Sequence, residues 1–374
     1  MKRGRDSIPR VFRHSVLALE TTAGFLLIVA VLFDVFETMV LSRRVSRRNR
    51  ITTVFYRLTW PLWRSAARRF PAGNRRENFL TIYGPASLLL LIVCWAFGLL
   101  VAFALLHAGL DPTLRTADGQ QGFAVALYMS GTTLFTLGLG DVASHGVAGR
   151  VLTVLECGMG LGLLTLVISY LPALSQAFSA REVRISLLDA RAGSPPTAME
   201  LLLRHRGDAS GESLAQLLRE WERWSAELLE SHVSFPVLAY YRSQHDNQSW
   251  VAALTAVLDV CAFVMASARR GPIEQARLTF AIARHALMDM CRVFDQKPRP
   301  PRENRLPEAA LRRLVESFED DEVPVVADSE TASRLTELRE MYEPAAYALS
   351  RMLLMPLPAW SPPDRVHDNW MSTL

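Results

Sequence analysis

Residues 133–141 read TLFTLGLGD, with glycines at alternate positions, Gly138 and Gly140, and Asp141 directly after them. Glycine adopts backbone conformations that a Cβ resists, so alternate glycines allow successive carbonyls to point to one side. Such carbonyls, with the Thr136 hydroxyl beside them, can replace the hydration shell of a monovalent cation. The predicted ion-binding residues are Thr136, Leu137, Gly138, Leu139, Gly140 and Asp141.

This stretch lies in the most apolar third of a chain that is 50% hydrophobic and 21% charged, a mixture that indicates a membrane part joined to a water-soluble part. Apolar runs extend over about Val16–Leu41, Phe79–Ala108 and about Val147–Phe178. Each is long enough to cross roughly 30 Å of hydrocarbon, so the sequence predicts three spanning helices.

Between the second and third runs, Phe123–Phe135 has thirteen residues, enough for a short helix but too few to cross a bilayer. The segment must therefore dip into the membrane and return. Residues 133–141 then become non-helical backbone at membrane depth, where unpaired carbonyls are tolerated only if they line a water-filled or ion-filled path. As an alternative, the glycines could serve only to pack ordinary transmembrane helices, but that leaves Asp141 and the short helix unexplained.

At these residues the chain resembles the potassium channel pore family, whose filter reads TVGYGD or a close variant; here it reads TLGLGD. In small two-span bacterial members a Gly-Arg pair follows the filter Asp, and here it is Gly149-Arg150. Ten residues after that arginine they carry a hinge glycine, which corresponds to Gly160. The resemblance covers about residues 79–180. It implies an outer helix, a pore helix, a filter and an inner helix, assembled as a homotetramer.

One residue departs from the family pattern, because Leu139 stands where a tyrosine is usual. Some related filters carry Phe or Leu at this position, so potassium selectivity stays the main expectation. Leucine cannot make the hydrogen bond by which the tyrosine helps to hold the filter's width. A weakly selective cation channel is therefore one alternative.

The inner helix, Val151–Phe178, contains the predicted gate. Pro172 removes an intrahelical hydrogen bond near the cytoplasmic end and should kink the helix. The family's geometry implies that an apolar ring lines the cavity and can close it by dewetting. The glycines of this helix could instead serve close packing, and both roles are compatible. The predicted pore-lining and gate residues are Gly160, Leu161, Leu164, Ile168 and Pro172.

Acidic residues within the predicted spans are functional candidates. Glu156 lies on a different face of the inner helix from the predicted cavity-lining positions. We therefore predict a structural hydrogen bond behind the filter, to Ser130, Thr132 or Thr133, in preference to a direct role in conduction. Near the inner end of the first span, Asp34 and Glu37 are expected to pair with Arg43 or Arg44.

Arginines determine the expected orientation. Residues 42–78 hold eleven arginines between the first two spans, which places this segment in the cytoplasm. The chain after about Ser179 is then also cytoplasmic, and the N-terminus lies outside unless the first apolar segment fails to cross. The protein is expected in the cell (inner) membrane, with anionic lipid headgroups at the juxtamembrane arginines and no nucleic-acid partner.

From Arg181 onward the pattern predicts an all-helical bundle with helices at 212–232 and about 249–268, 273–296, 308–319 and 330–354. Residues 250–266 are apolar, but Asp259 near their centre favours a buried bundle helix over a fourth span. Residues 232–250 could form a ligand pocket or a helix junction. An unknown cytoplasmic ligand is therefore considered, but the stimulus is not predicted.

The sequence thus predicts an all-α membrane protein, with a potassium-channel-like pore, an extra N-terminal transmembrane helix and a cytoplasmic helical bundle. The main functional prediction is passive potassium conduction. A non-conducting, membrane-anchored signalling or scaffold protein is the alternative from another class. No enzyme chemistry, cofactor, or metal site beyond potassium in the filter is expected. The predicted divisions are a basic tail 1–14, a transmembrane helix 15–41, a basic cytoplasmic or interfacial segment 42–78, a pore module 79–180 and a cytoplasmic helical domain 181–374.

Overall fold

The structure is a computed structural model of the chain. It describes residues 10–41, 50–110, 114, 116, 119–144, 146–205, 208, 210–245, 247–268, 271–301, 303–316 and 329–361, with side chains from residue 15 onward. Every regular element within those ranges is helical, so the predicted all-α class is confirmed. The elements are α1 (Arg10–Met39), α2 (Ile51–Ala67), α3 (Asn74–Leu110), α4 (Phe123–Leu134), α5 (Val147–Ala192), α6 (Ala198–His205), α7 (Glu212–Ser234), a 3-10 helix (Pro236–Tyr240), α8 (Trp250–Ser267), α9 (Ile273–Val293), α10 (Glu308–Glu316), α11 (Ser329–Glu340) and α12 (Glu343–Leu353).

The chain divides into two compact units. The first comprises Met1–Pro61 and Pro85–Ala173, and the second comprises Leu62–Gly84 and Leu174–Leu374. Four described helices are long and apolar enough to cross a membrane: Ser15–Met39, α3, α5 and α8. The three predicted spans are among them, and α4 is the short apolar helix between the second and third.

In the first unit, α1 packs antiparallel along α3. Gly24 of α1 faces Ala102 of α3, where a Cβ would lie 2.6 Å from the carbonyl oxygen, and Gly109 of α3 faces Thr21 of α1 equally closely. Small residues let the two backbones approach, as is usual for helices in a membrane. The N-terminal half of α1 therefore lies beside the C-terminal end of α3.

A buried polar cluster joins α1 to the start of α2. Asp34, 3% exposed, accepts hydrogen bonds from Trp95 Nε1 at 2.8 Å and from the Thr52 hydroxyl at 2.6 Å and amide at 3.1 Å. Arg50 pairs with Glu37 at 3.1 Å. Asp34 therefore caps the N-terminus of α2. The partner that the structure gives to this acidic pair is Arg50, whereas the predicted Arg43 and Arg44 lie outside the described residues.

The second unit is a helical bundle around α8. All but two residues of α8 are buried, and the helix packs against α6, α9, α11 and α12. A helix that is apolar on every side needs such a surrounding. Asp259, at its centre, is paired with Arg305 at 2.5 Å and accepts a hydrogen bond from Tyr342. Asp259 is therefore a buried, fully partnered core residue.

Residues 232–250 form a helix junction. Arg181, near the C-terminal end of α5, is buried and donates to the carbonyls of Leu238 at 2.8 Å and Tyr241 at 2.9 Å, on either side of the 3-10 helix end. His232 lies against the same guanidinium, with Nε2 3.4 Å from it. These contacts fix the end of α5 to the bundle, which corresponds to the junction interpretation.

The last predicted helix of this unit differs most from the structure. The predicted helix 330–354 is two helices, α11 and α12, with a turn at Met341 and Tyr342. Pro344 at the start of α12 disfavours the helical conformation just before it, which explains the break. The predicted boundary between residues 180 and 181 lies inside α5, which continues to Ala192.

Candidate ion pathway

The short helix α4 supports the glycine-containing stretch from one end. Its inward side is apolar and buried, with Val125, Ala126, Met129 and Leu134 in the core. The amides that follow it bond back to its last turn: Thr136 N to Thr133 O at 3.0 Å, Leu137 N to Thr132 O at 2.8 Å and Gly138 N to Thr132 O at 3.1 Å. The first half of the stretch is therefore attached through its amides, which leaves its carbonyls free to point elsewhere.

The backbone dihedrals alternate in sign along this stretch. Thr136, Gly138 and Gly140 have φ values of 60°, 57° and 76°, whereas Leu137 and Leu139 are not in the positive-φ region. Glycine adopts positive φ without strain, but a β-branched residue such as Thr136 does so rarely. The positive φ values of Gly138 and Gly140 therefore fall at the two glycines whose spacing the sequence analysis singled out.

The carbonyls of Thr136, Leu137, Gly138, Leu139 and Gly140 accept no hydrogen bond from any residue that the structure describes. Carbonyls left unpaired in a membrane protein are costly unless water or an ion takes the place of the missing donor. Both flanking leucine side chains are exposed in the single chain, Leu137 to 65% and Leu139 to 63%. The stretch therefore presents a row of oxygens together with an uncovered surface.

The far end of the stretch is held by a side-chain contact. The Tyr128 hydroxyl, on α4, donates to Asp141 Oδ2 at 2.9 Å. Asp141 is thus tied to the helix that precedes it in the chain, and the loop is closed at both ends. Of the predicted ion-binding residues, Asp141 is the one whose side chain contacts α4, through one oxygen of its carboxylate.

The inner helix α5 passes the end of α4 at Gly160. A Cβ on Gly160 would lie 2.1 Å from the Leu134 carbonyl oxygen, so no side chain fits at this crossing. Leu161, Leu164 and Ile168 are 50%, 56% and 62% exposed in the single chain and follow one another at three- and four-residue intervals. They therefore form one uncovered apolar stripe, and Pro172 lies further along the same helix. The close-packing role predicted as an alternative for Gly160 has direct geometric support.

Comparison with known proteins bears on this region. Residues 87–175, which include α4, the stretch 133–141 and most of α5, match a protein family described as "Ion channel". Residues 87–175 are therefore similar to that family, and they are called the channel segment here. The match covers the channel segment and leaves the second unit, from Leu174 onward, almost entirely outside it.

A curated relative extends beyond the channel segment. The chain is 25% identical over 241 residues to a Bacillus subtilis (strain 168) protein described as "Uncharacterized membrane protein YdjJ". The aligned region covers 63% of this chain and 67% of that protein. No solved structure matches the chain. The relative supports membrane localisation, and the printed description says nothing further about activity.

Behind α4, the channel segment contains one polar contact that sequence reasoning predicted and one that it missed. Glu156 on α5 contacts the Ser130 hydroxyl on α4, one of three predicted partners. Its other oxygen, Oε2, lies 3.0 Å from His107 Nε2 on α3. All three side chains are 0% exposed. The missed residue is His107, a single histidine at the end of the apolar run of α3, and no signal in the sequence pairs it with Glu156.

Proposed function

We propose that the chain assembles as a homotetramer and conducts potassium passively through a filter formed by residues 136–141. The observation that carries this proposal is the row of unpaired carbonyls with alternating backbone dihedrals. A single copy of this row cannot surround an ion. Four copies around an axis can, and carbonyl rings of this kind select a dehydrated potassium ion.

The uncovered apolar surface supports tetramer formation as well. Leu137 and Leu139 are largely exposed in a single copy, as are Leu161 and Ile168. In the proposed assembly the first pair packs behind the filter and the second pair lines the cavity and gate. Gly160 and Pro172 complete the proposed gate, Gly160 through its contact with α4 and Pro172 by interrupting the hydrogen bonding of α5.

The proposed arrangement in the membrane follows the arginines. The segment between α1 and α3 and the second unit lie in the cytoplasm of a bacterial inner membrane, where the arginines of residues 42–78 contact anionic headgroups. Because α1 lies antiparallel to α3, the N-terminus is on the opposite side. The buried position of α8 within its own unit favours a bundle helix over a fourth span. We expect no enzymatic activity.

A second candidate function is a weakly selective cation channel. It is favoured by Leu139, whose side chain carries no group that could hydrogen-bond to α4 and hold the filter's width. The non-conducting scaffold protein has no specific structural observation in its favour.

The test is the reversal potential of the purified protein in a planar bilayer under opposed potassium and sodium gradients. Wild-type current should reverse near the potassium equilibrium potential. Gly138→Asp should abolish the current, because a side chain and a charge enter the row of carbonyls. Gly119→Asp is the matched control, since Gly119 also has positive φ and open space around its Cβ but lies outside the filter.

Each other outcome has a clear meaning. A wild-type reversal near zero, with current still lost in Gly138→Asp, would assign the weakly selective channel. Equal current in both variants would place conduction elsewhere than in residues 136–141. If wild-type protein that is confirmed as folded and inserted carries no current under any gradient, the channel proposal is wrong.

A further inference from the structure

Three buried side chains join the three helices of the channel segment. Glu156 on α5 contacts Ser130 on α4 through Oε1 and His107 on α3 through Oε2. The three residues are fully buried in the single chain. Among the described residues, these three side chains form the polar connection between α4 and its two neighbours, α3 and α5.

The protons in this cluster can be counted. Ser130 Oγ lies 2.9 Å from the Leu100 carbonyl oxygen and also contacts Glu156 Oε1, yet the hydroxyl carries one proton. The Leu100 carbonyl can only accept. The two contacts are separate hydrogen bonds, with no proton shared between them, only if Ser130 donates to Leu100 O and Glu156 donates to Ser130 Oγ. This arrangement requires Glu156 to be a protonated carboxylic acid.

The surroundings of His107 favour a neutral imidazole beside this acid. Its Nε2 faces Glu156, while its Nδ1 is buried without a hydrogen-bond partner among the described residues. A protonated imidazole would place a donor N–H on that unpartnered side, which costs more than an unpaired lone pair. The arrangement that satisfies most groups is a neutral imidazole donating from Nε2 to a neutral acid. A neutral pair also avoids a net charge in the membrane interior.

The cluster is well placed to influence the filter. Ser130 lies in the last half of α4, directly before the carbonyls of Gly131, Thr132 and Thr133 that hold the first filter amides. Four residues after Glu156, Gly160 contacts the Leu134 carbonyl, so α5 meets α4 at two levels. A shift of α4 relative to α5 would therefore move the carbonyl row directly.

We infer that Glu156 is a positioning residue that, as a neutral hydrogen-bonded acid, holds the pore helix between α3 and α5 and thereby sets the filter width that discriminates potassium from sodium. This inference rests on the proposed potassium selectivity. Leu139 has no side-chain group that could hydrogen-bond and support the filter. In this inference, the hydrogen bonds of the Glu156 cluster provide that support.

The experiment compares Glu156→Gln and Glu156→Leu with wild type in the planar bilayer, with the potassium-to-sodium permeability ratio as the readout. Glutamine reproduces the neutral acid, because its amide N–H can donate to Ser130 and its carbonyl can accept from His107. The Gln variant should keep the wild-type ratio. The Leu variant leaves both partners unsatisfied, and its ratio should fall by about tenfold. A merely structural role would reduce the number of channels but leave the ratio of each channel unchanged.

Ser130→Ala provides a second test in case the Glu156→Leu variant fails to assemble. It removes only the hydroxyl oxygen, so α4 keeps its shape while Glu156 loses its acceptor, and the ratio should fall in the same direction. If wild type is selective and both Leu and Ala variants keep its ratio, the inference is wrong and the proposed function stands. If Gln loses selectivity as Leu does, the acid acts as an anion, which overturns the neutral-bond account. A wild-type reversal near zero overturns the proposed function and this inference with it.

Discussion

Gly160→Ala tests the packing of the inner helix against the pore helix. The added Cβ would lie 2.1 Å from the Leu134 carbonyl oxygen, whereas real Cβ atoms essentially never lie closer than 3.0 Å to another heavy atom. The atom it meets belongs to the backbone at the end of α4 and cannot rotate away. The two helices must therefore separate locally by nearly an ångström, and the stretch 133–141 that follows α4 must move with them.

The expected change in stability follows from two opposing effects. Forcing an extra methyl group into a packed contact costs about 1–3 kcal/mol. Replacing glycine by alanine in an open helix interior contributes about 0.5–1 kcal/mol of stability in the other direction. Gly158 and Gly162 provide the matched controls, since each lies on the same helix with nothing within 4 Å of an added Cβ.

The assay is the thermal midpoint of the purified protein in detergent, followed by size-exclusion chromatography. The net loss of about 1–2 kcal/mol in Gly160→Ala should lower the midpoint by roughly 2–8 °C, given about 2–4 °C per kcal/mol for a folding unit the size of the first one. Gly158→Ala and Gly162→Ala should leave it unchanged or raise it slightly. If all three variants behave alike, Gly160 does not make the close contact described, and only its flexibility would explain a glycine there.

Three further predictions concern other contacts. Asp34→Ala leaves the buried indole of Trp95 and the amide of Thr52 without their acceptor, so the protein should lose about 2–4 kcal/mol of stability and its thermal midpoint should fall. Asp34→Asn should lose less, and equal midpoints would contradict the capping role. Tyr128→Phe removes the hydrogen bond to Asp141, so single-channel recordings should show briefer openings with an unchanged reversal potential. Unchanged open times would show that this bond does not hold the loop. Burial, followed by the nearby Arg181 guanidinium, lowers the pKa of His232 from 6.5 to about 3, so the unfolded chain binds a proton that the folded chain excludes. Stability should therefore fall as pH decreases below about 6.5, by about 1.4 kcal/mol per pH unit. Between pH 6.5 and 4.5 the thermal midpoint of His232→Gln should depend less steeply on pH than that of wild type. Identical slopes for the two proteins would refute a neutral His232.

The pore helix and the membrane-capable helices could be read from the sequence because their signals are local. Gly138 and Gly140 fix where the backbone can alternate, and the apolar runs around them exceed the length that a bilayer needs. The bounds of α4 agree with the predicted short helix to within one residue. These features depend on residues near one another in the chain.

The remaining contacts depend on residues far apart in the chain, which periodicity does not bring together. His107 and Glu156 are 49 residues apart, and nothing in α3 marks His107 as facing α5 and not lipid. Arg50 was one of many arginines between α1 and α3, and only its place just before α2 puts it beside Glu37. The turn between α11 and α12 was missed because the heptad-like apolar pattern continues through it, although Pro344 marked the break.

The most direct test of the central claim is the structure of the purified protein determined by electron cryomicroscopy in potassium chloride and in sodium chloride. The account predicts four copies around an axis, with the carbonyls of residues 136–140 facing it and a row of density between them in potassium. A different stoichiometry, or carbonyls of Gly138 and Leu139 turned away from the axis with no density between them, would contradict it.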